Sequence, residues 1–237
     1  MHGHFKNFLH TIKKIKTTFP NLPIMAGDVV TANGARAIIE AGADCIKVGM
    51  GAGSVCTTRI VSGVGVAQFT AINDCFNVAR EYNIPIISDG GIKFSGDITK
   101  AIGAGANAVV IGSLFVGSDE SPSEIQLYQG RKYKLYRGIR TLIDDDKNLH
   151  SHNLKKDVKK FILDGVEGRI GYNGPVKDVI LQLIWGLKAG MSYCGARNVN
   201  ELIETAEFMK ISEAVLRESH PHDISITKES PNYSVEY

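Results

Sequence analysis

The sequence predicts an α/β protein in which parallel strands alternate with helices. Four short apolar runs have the length and the flanking turns of buried strands, and they span 23–27, 45–48, 84–88 and 107–111. Helical patterns of ordinary length separate these runs, which is the arrangement typical of βαβ units. The alternation therefore predicts a parallel sheet with helices packed on it.

Apolar periodicity and end signals indicate the individual helices. Apolar residues at helical spacing predict an amphipathic first helix over 1–16 with a lysine-rich outer face. The hydroxyls of Thr31 and Ser95 are predicted to cap two later helices. The further predicted helices span 31–41, 68–82 and 95–104, and then, after a long segment, 176–187 and 198–206.

The composition limits the class of protein. With 237 residues, 43% of them apolar, the chain suits one domain with a sizeable core. A formal net charge of +2 gives no reason to expect a nucleic-acid or membrane partner. The four cysteines are scattered, without the paired spacing of a zinc site or a disulfide framework. No signal peptide or long apolar run is recognisable, which predicts a cytoplasmic protein.

The segment 49–59 is the strongest candidate for a functional site. It reads Gly-Met-Gly-Ala-Gly-Ser-Val-Cys-Thr-Thr-Arg and follows the second predicted strand. Alternate glycines permit close backbone approach, so the turn can offer carbonyls to a cation, amides to an anion and the thiol of Cys56 for covalent catalysis. The alternative is a tight strand-to-helix turn with an incidental cysteine, and the stretch alone does not decide between the two.

Two further turns follow neighbouring predicted strands. Asp89, Gly90 and Gly91 come after the third strand, and Gly112 and Ser113 come after the fourth. The carboxyl ends of parallel strands meet at one edge, where small residues with free amides bind phosphate in parallel barrels. An Asp-Gly-Gly sequence is also common in simple turns, but the two segments together favour a phosphate site.

These motifs occur in an order shared with a known family. The loop at 49–59 resembles the active-site loop of IMP dehydrogenases and GMP reductases, and the likeness extends over 1–237. The other matching motifs are Ser-Asp-Gly-Gly-Ile at 88–92, Ile-Gly-Ser-Leu at 111–114, Tyr-Arg-Gly at 136–138, Glu-Gly-Arg at 167–169 and Leu-Arg-Glu-Ser-His-Pro-His-Asp at 216–223. The last motif resembles bacterial IMP dehydrogenases and argues against a GMP reductase.

The resemblance implies a (β/α)8 TIM barrel of which this chain holds the second half. The chain would form one catalytic domain over 1–237, with a flap insertion at about 139–170 and a C-terminal cation-site tail at about 207–237. A four-stranded half-sheet has two open edges, so we expect it to bind a complementary half-barrel chain or a second copy. The resemblance further implies a homotetramer.

The resemblance also implies an activity, the NAD-dependent oxidation of IMP to XMP in guanine nucleotide biosynthesis. Cys56 would attack C2 of the purine, a hydride would leave to NAD, and Thr58 would position the water that hydrolyses the thioimidate. The implied nucleotide contacts are Ser54, Asp89, Gly91, Gly112, Ser113, Tyr136, Gly138 and Asp164. The implied cation is K⁺, held by the carbonyls of Gly51, Gly53 and Cys56 and by Glu218, Ser219 and His220 of another subunit.

The chain departs from the family mainly at the flap. Family members carry an Arg-Tyr pair whose arginine activates water, and here His152 and Asn153 stand at those positions. Arg140 replaces a glycine, Asp164 a glutamate and Asp28 an asparagine. A histidine can act as a base, but a solvated flap histidine is the favoured interpretation. The alternative function is therefore a degenerate paralogue that binds nucleotide or assembles with partners without turnover, and we expect little IMP turnover by the isolated chain.

Overall fold

The computed structural model describes residues 2–138, 165–228, 230 and 233. The strands in chain order are β1 (Met25–Val29), β2 (Cys45–Val48), β3 (Ile86–Asp89), β4 (Ala108–Val110), β5 (Ile125–Tyr128), β6 (Arg131–Arg137) and β7 (Glu167–Gly171). The helices are α1 (Lys6–Thr18), α2 (Ala32–Glu40), α3 (Thr58–Val61), α4 (Gln68–Ala79), α5 (Ser95–Gly103), α6 (Ser113–Val116), α7 (Val176–Tyr193), α8 (Val199–Thr205) and α9 (Glu213–Glu218).

The first four strands form one parallel sheet in sequential order, β1-β2-β3-β4, as the sequence predicts. The crossovers between them contain α2, α4 and α5. The register pairs Val48 with Ser88 and Asp89 with Val110, so the strand ends lie near one another. Because the strands run in one direction, the segments that follow β2, β3 and β4 all begin at the same edge of the sheet.

One face of this sheet forms the hydrophobic core with the helices. Successive side chains of a strand point to opposite faces, and Ile46, Val48 and Ile86 all lie fully buried on the helical side. Ile38 of α2 and Ile72 of α4 are equally buried, and both helices pack against the sheet. The core residues are mostly isoleucine, valine and alanine, as is usual for buried parallel strands.

The opposite face of the sheet is partly open. Lys47 and Asp89 alternate with the core residues, and their side chains are 28% and 30% exposed. On the two edge strands, Met25 of β1 is 57% exposed and Val110 of β4 is 40% exposed. Since a parallel sheet is normally covered on both faces, the described residues have the architecture of half of a parallel barrel.

The first helix begins later than the sequence predicts. It starts at Lys6 and not at position 1, because the Gly3 amide donates a hydrogen bond of 2.7 Å to the Asp28 carbonyl and so holds the first residues beside β1. The prediction for Thr31 is confirmed, since its hydroxyl accepts a hydrogen bond from the Gly34 amide at 3.2 Å and caps α2.

The cap predicted at Ser95 is wrong. Ser95 is the first residue of α5, and the Asp97 carboxylate accepts hydrogen bonds from the amides of Phe94 at 2.9 Å and Lys93 at 3.0 Å. A carboxylate in the first turn satisfies free amides as well as a serine cap does. Within the described ranges, we found no helix with the length and apolar character needed to cross a membrane.

A second sheet was not predicted from the sequence. It is antiparallel, with the order β5-β6-β7, and it pairs Tyr136 of β6 with Gly168 of β7. Residues 139–164 join these two strands and lie outside the described residues. The final part of the segment predicted as a flap therefore belongs to β7. This sheet is attached to the first unit, because the Asn173 amide donates to the Gly117 carbonyl at 2.8 Å.

Candidate active site

Cys56 lies on the loop that connects β2 to α4, at the carboxyl edge of the parallel sheet. Its side chain is exposed, and its amide donates a hydrogen bond of 3.0 Å to the Gly53 carbonyl. The Cys56 Sγ lies 3.1 Å from Oγ1 of Thr58, which is the first residue of the short helix α3. The two residues predicted to carry the chemistry are therefore in direct contact. Ser54 lies exposed on the same loop.

The turn after β3 packs directly against the cysteine loop. A Cβ on Gly49, whose φ is +155°, would lie 2.0 Å from the Asp89 carbonyl oxygen. A Cβ on Gly90 would lie 3.0 Å from the Ala52 Cβ. Side chains at these two positions would separate the segments. The glycines thus bring Asp89 and Gly91, the predicted nucleotide contacts, to the loop that carries Cys56.

Lys47 joins two carboxylates on the open face of the sheet. Its ammonium donates to Asp28 of β1 at 2.5 Å and also to Asp89 of β3. Burial works to lower the pKa of Lys47, but the hydrogen bonds with both carboxylates raise it above its ordinary value. Burial raises the pKa of Asp28, and the Lys47 ammonium offsets this only in part. No role for Lys47 was predicted from the sequence, although a lysine within an apolar strand is itself a signal.

The predicted phosphate residues lie beside Tyr136. A Cβ on Gly112 would lie 3.1 Å from the Tyr136 hydroxyl, so β6 of the second sheet reaches the turn after β4. Burial, followed by the negative charge of Asp89, raises the pKa of Tyr136, which places this phenol within electrostatic range of that carboxylate. Ser113 follows Gly112 as the first residue of α6. The turns after β2, β3 and β4 and one tyrosine from the second sheet thus lie close together at the carboxyl edge of the parallel sheet.

The described residues on either side of the segment 139–164 lie against the cysteine loop. On one side, a Cβ on Gly138 would lie 3.7 Å from Cγ2 of Val55. On the other side, the Val166 amide donates to the Val55 carbonyl at 3.0 Å, and the Gly165 amide donates to Oγ1 of Thr57 at 2.8 Å. Four predicted positions, Arg140, His152, Asn153 and Asp164, lie outside the described residues.

The C-terminal residues predicted to hold a cation lie against the chain's own surface. Glu218 ends α9, and the Ser219 hydroxyl donates to the Val215 carbonyl at 2.8 Å. Nδ1 of His220 lies 2.7 Å from the Tyr233 hydroxyl, and its ring is 6.2 Å from that of Phe94. Among the described residues, no three histidine, cysteine or acidic side chains cluster as a metal site would require. The structure describes one chain, so the contribution of these residues to another subunit stays a prediction.

Two site residues that the sequence analysis did not single out stabilise the loop. Nε2 of Gln68, the first residue of α4, donates to the Val48 carbonyl at 2.9 Å and to the Ser88 hydroxyl at 3.0 Å. Gln68 thereby ties the ends of β2 and β3 together. Arg59 forms two hydrogen bonds with backbone carbonyls of the cysteine loop. In the sequence, neither residue differs from an ordinary helix residue. Their contacts with the loop are therefore seen only in the folded structure.

The fold and the site define a class of protein, a parallel α/β barrel protein with an exposed cysteine on a glycine loop at the carboxyl ends of the strands. The model of the family described as "IMP dehydrogenase / GMP reductase domain" matches residues 1–222. Since this match covers most of the 237 residues, the chain belongs to the IMP dehydrogenase / GMP reductase family. The prediction of the second half of a TIM barrel of this family is confirmed.

The chain is similar to several curated proteins. Inosine-5'-monophosphate dehydrogenase of Bacillus subtilis is 53% identical over 234 residues, which cover 99% of this chain and 48% of that protein. The protein of the same name from Aquifex aeolicus is also 53% identical, over 236 residues and 48% of its length. The chain thus spans about half the length of the curated relatives it matches.

A solved structure shares the fold. A GMP reductase from Trypanosoma brucei, in complex with guanosine 5'-monophosphate, superposes with a TM-score of 0.83 at 38% sequence identity. The match covers 94% of this chain and 46% of that chain. The structural similarity therefore extends over nearly the whole chain and again over about half of the relative.

Proposed function

We propose that this chain supplies the thiol-bearing, nucleotide-binding half of an IMP dehydrogenase, which oxidises IMP to XMP with NAD in guanine nucleotide biosynthesis. The observation that carries the proposal is the exposed thiol of Cys56, whose Sγ lies 3.1 Å from Oγ1 of Thr58 at the carboxyl edge of the sheet. The names of the curated relatives that are 53% identical favour IMP as the substrate. The C-terminal Glu-Ser-His sequence favours the dehydrogenase over the reductase.

The proposed reaction uses Cys56 as a covalent nucleophile. Its thiolate forms a bond to C2 of the purine, and the hydrogen on C2 leaves with its electron pair. NAD supplies the acceptor for that hydride. A water molecule positioned beside Thr58 then attacks C2 of the thioimidate, the C–S bond breaks, and XMP leaves with the thiol restored. The purine thus loses two electrons, and the oxygen of XMP comes from water.

The nucleotide contacts follow from the three turns at the sheet edge. Asp89 accepts hydrogen bonds from the ribose hydroxyls, and the Lys47 ammonium, which donates to the Asp89 carboxylate, holds that side chain in place. The phosphate lies at the amides of Gly91, Gly112 and Ser113, with the Tyr136 hydroxyl as a further donor. Ser54, Gly138 and Asp164 complete the proposed set of contacts. Its residues come from separate loops, which is how barrel enzymes build their sites.

The residues present are suited to K⁺ in their chemistry. Carbonyl oxygens are ligands for hard cations, and we assign them to Gly51, Gly53 and Cys56. The Gly53 carbonyl already accepts the Cys56 amide at 3.0 Å, but a carbonyl has two lone pairs and retains one for a cation. Glu218, Ser219 and His220 of another subunit would supply the remaining ligands.

The described residues offer one surface suited to part of NAD. A cavity of about 220 Å³ opens beside Met50 and is lined mainly by apolar residues, among them Val29, Val30 and Val64. Its mainly apolar lining suits a flat ring such as nicotinamide. The other wall would come from the first half of the barrel. The open edges at β1 and β4 suit the same partner, a complementary half-barrel chain or a second copy, within a tetramer.

The decisive experiment measures NADH formation from IMP, NAD and KCl. We expect little turnover by the isolated chain, because it lacks the second cofactor wall and has His152 and Asn153 in place of the Arg-Tyr pair; loss of a general base alone typically reduces the rate by about 10²–10⁴. Adding the first half of the Bacillus subtilis relative as a separate chain should produce NADH, and His152→Arg with Asn153→Tyr should increase its rate only in that mixture.

The control for this experiment is Cys56→Ala, which should abolish NADH formation in every mixture. Equilibrium binding of IMP to the isolated chain, with Asp89→Asn as the weakened variant, separates substrate recognition from turnover. IMP binding without NADH in the complemented mixture would favour the non-catalytic paralogue. NADH formation that persists in Cys56→Ala would contradict the proposed nucleophile.

A further inference from the structure

The cysteine loop is long and has little apolar anchorage. Nineteen positions, 49–67, separate β2 from α4, whereas such connections commonly have about 2–6 residues. From Gly51 to Ala67, every side chain is exposed or only partly buried. A loop of this length without buried side chains needs polar contacts to hold one conformation.

Arg59 supplies such contacts at both ends of the loop. Its Nε donates a hydrogen bond of 3.0 Å to the Met50 carbonyl. Its Nη2 donates a hydrogen bond of 2.5 Å to the Val66 carbonyl. Met50 and Val66 stand at opposite ends of the loop, so one guanidinium joins the two ends. The planar fork of an arginine can reach two acceptors at once, which a lysine ammonium on its flexible stem does less well.

Two glycines make room for the arginine stem. A Cβ on Gly51, whose φ is +70°, would lie 2.7 Å from Cγ of Arg59. A Cβ on Gly65, whose φ is +154°, would lie 2.5 Å from the same atom. Arg59 is therefore enclosed by backbone from both ends of the loop. Glycine is therefore required at positions 51 and 65 because a side chain there would displace Arg59, and the sequence alone does not show this.

We propose that Arg59 is a positioning residue that fixes the shape of the cysteine loop by joining its two ends. Arg59 directly follows Thr58, whose hydroxyl contacts the Cys56 thiol, so the guanidinium also sets the place of that pair. The catalytic meaning of this pair rests on the proposed function. The conformation of the loop is measured without nucleotide, whereas the proposed function is tested by NADH formation. A negative result in one test therefore does not decide the other.

The test is hydrogen exchange of the intact 237-residue chain, followed by mass spectrometry. The amides of Ile60 and Val61 both donate to the Thr57 carbonyl, at 3.0 and 2.9 Å, and report on the loop. In Arg59→Gln we expect their exchange to be about 10-fold faster or more, because hydrogen bonds from a charged donor are lost. Arg59→Lys should resemble Arg59→Gln, since a single ammonium does not replace the fork.

Peptides from β2 and α4 serve as internal references, and their exchange should not change. A matched surface control is Arg36→Gln, which removes an arginine bonded to the Tyr82 hydroxyl at 2.8 Å and should leave the loop unaffected. Loop exchange within about twofold of the wild type in Arg59→Gln would overturn the proposal. Full protection in Arg59→Lys, or equal acceleration in the reference peptides, would do the same.

A second variant tests the contact from the opposite side. Gly65→Ala should displace the arginine stem and also accelerate loop exchange. Gly63→Ala is its control, because Gly63 also has a positive φ, +68°, but no atom lies within 4 Å of its added Cβ. Equal exchange rates in the two alanine variants would show that backbone strain and not Arg59 determines the loop, and would contradict the proposal.

Discussion

Substituting Gly186 by alanine should force α5 and α7 apart. These helices pack closely, and a Cβ on Gly186 would lie 2.1 Å from Oγ and 2.3 Å from Cβ of Ser95. One turn later, Gly190 faces Thr99, with 2.6 Å between the added Cβ and the Thr99 side chain. Small residues on α7 thus allow a close crossing. Ser95 begins α5, directly after the turn that carries the proposed nucleotide contacts.

The cost follows from two opposing effects. Ordinary carbon contacts begin at about 3.4 Å, so the new methyl group is more than about 1 Å too close, and overpacking of this kind costs roughly 1–3 kcal/mol. Alanine is a better helix former than glycine by about 1 kcal/mol, which offsets part of this. We expect Gly186→Ala to lower the free energy of unfolding by up to about 2 kcal/mol.

Urea unfolding measures this change, with a constant slope of free energy against urea showing that only stability has changed. Gly96→Ala is the matched control, since Gly96 lies in α5 and an added Cβ there has nothing within 4 Å. It should stabilise the chain by about 0.5–1 kcal/mol through helix propensity. If Gly186→Ala were as stable as Gly96→Ala, the close crossing of the helices would be refuted.

Three further predictions follow from the site. Lys47→Met leaves Asp28 and Asp89 side by side without their shared cation, so the free energy of unfolding at neutral pH should fall by about 1–3 kcal/mol. Urea unfolding should show this loss shrinking at acid pH as Asp28, whose pKa is raised by burial, is neutralised. Thr57→Val removes the acceptor of the Gly165 amide, whose hydrogen exchange should become about 10-fold faster. Burial raises the pKa of Cys75 to about 12, whereas the thiol of an unfolded chain has a pKa of about 8.5. As pH rises between these values the unfolded chain loses the Cys75 proton first, so the free energy of unfolding should fall by up to about 1.4 kcal/mol per pH unit. Cys75→Ala should lack this component.

Each of these predictions has a control on the chain surface. Lys100→Met breaks an exposed pair and should change stability little, so an equal effect at both lysines would contradict the first prediction. Thr17→Val removes a hydroxyl on α1 and should leave the Gly165 amide unchanged. Cys194 is exposed, so Cys194→Ala should still lose stability as the pH rises. If Cys75→Ala also lost stability at alkaline pH and Cys194→Ala did not, the third prediction would be contradicted.

Local signals were sufficient for the four-stranded parallel sheet, and the resemblance to the family added that the sheet is half of a barrel. Apolar runs of strand length, helical periodicity and glycine punctuation identified the four strands and the helices between them. They also placed Asp89 at the end of a strand and Cys56 and Ser113 in the segments that follow strands, and in a parallel sheet that fixes them at one edge. The order of the motifs further indicated the family. The errors were local too: Ser95 was assigned as a cap, whereas Asp97 accepts the free amides.

Tertiary structure decided which residues support these positions. Asp28 and Asp89 are 19 and 42 positions from Lys47, and Thr57 is 108 positions from Gly165, so no window of sequence contains both partners of these contacts. The antiparallel sheet likewise pairs β6 with a strand on the far side of residues 139–164. The sequence determined the four parallel strands, the helices between them and the position of the Cys56 thiol, because those depend on short-range periodicity and residue type. The ion pairs, the glycine contacts and the closing of the cysteine loop depend on distances that exist only after the chain has folded.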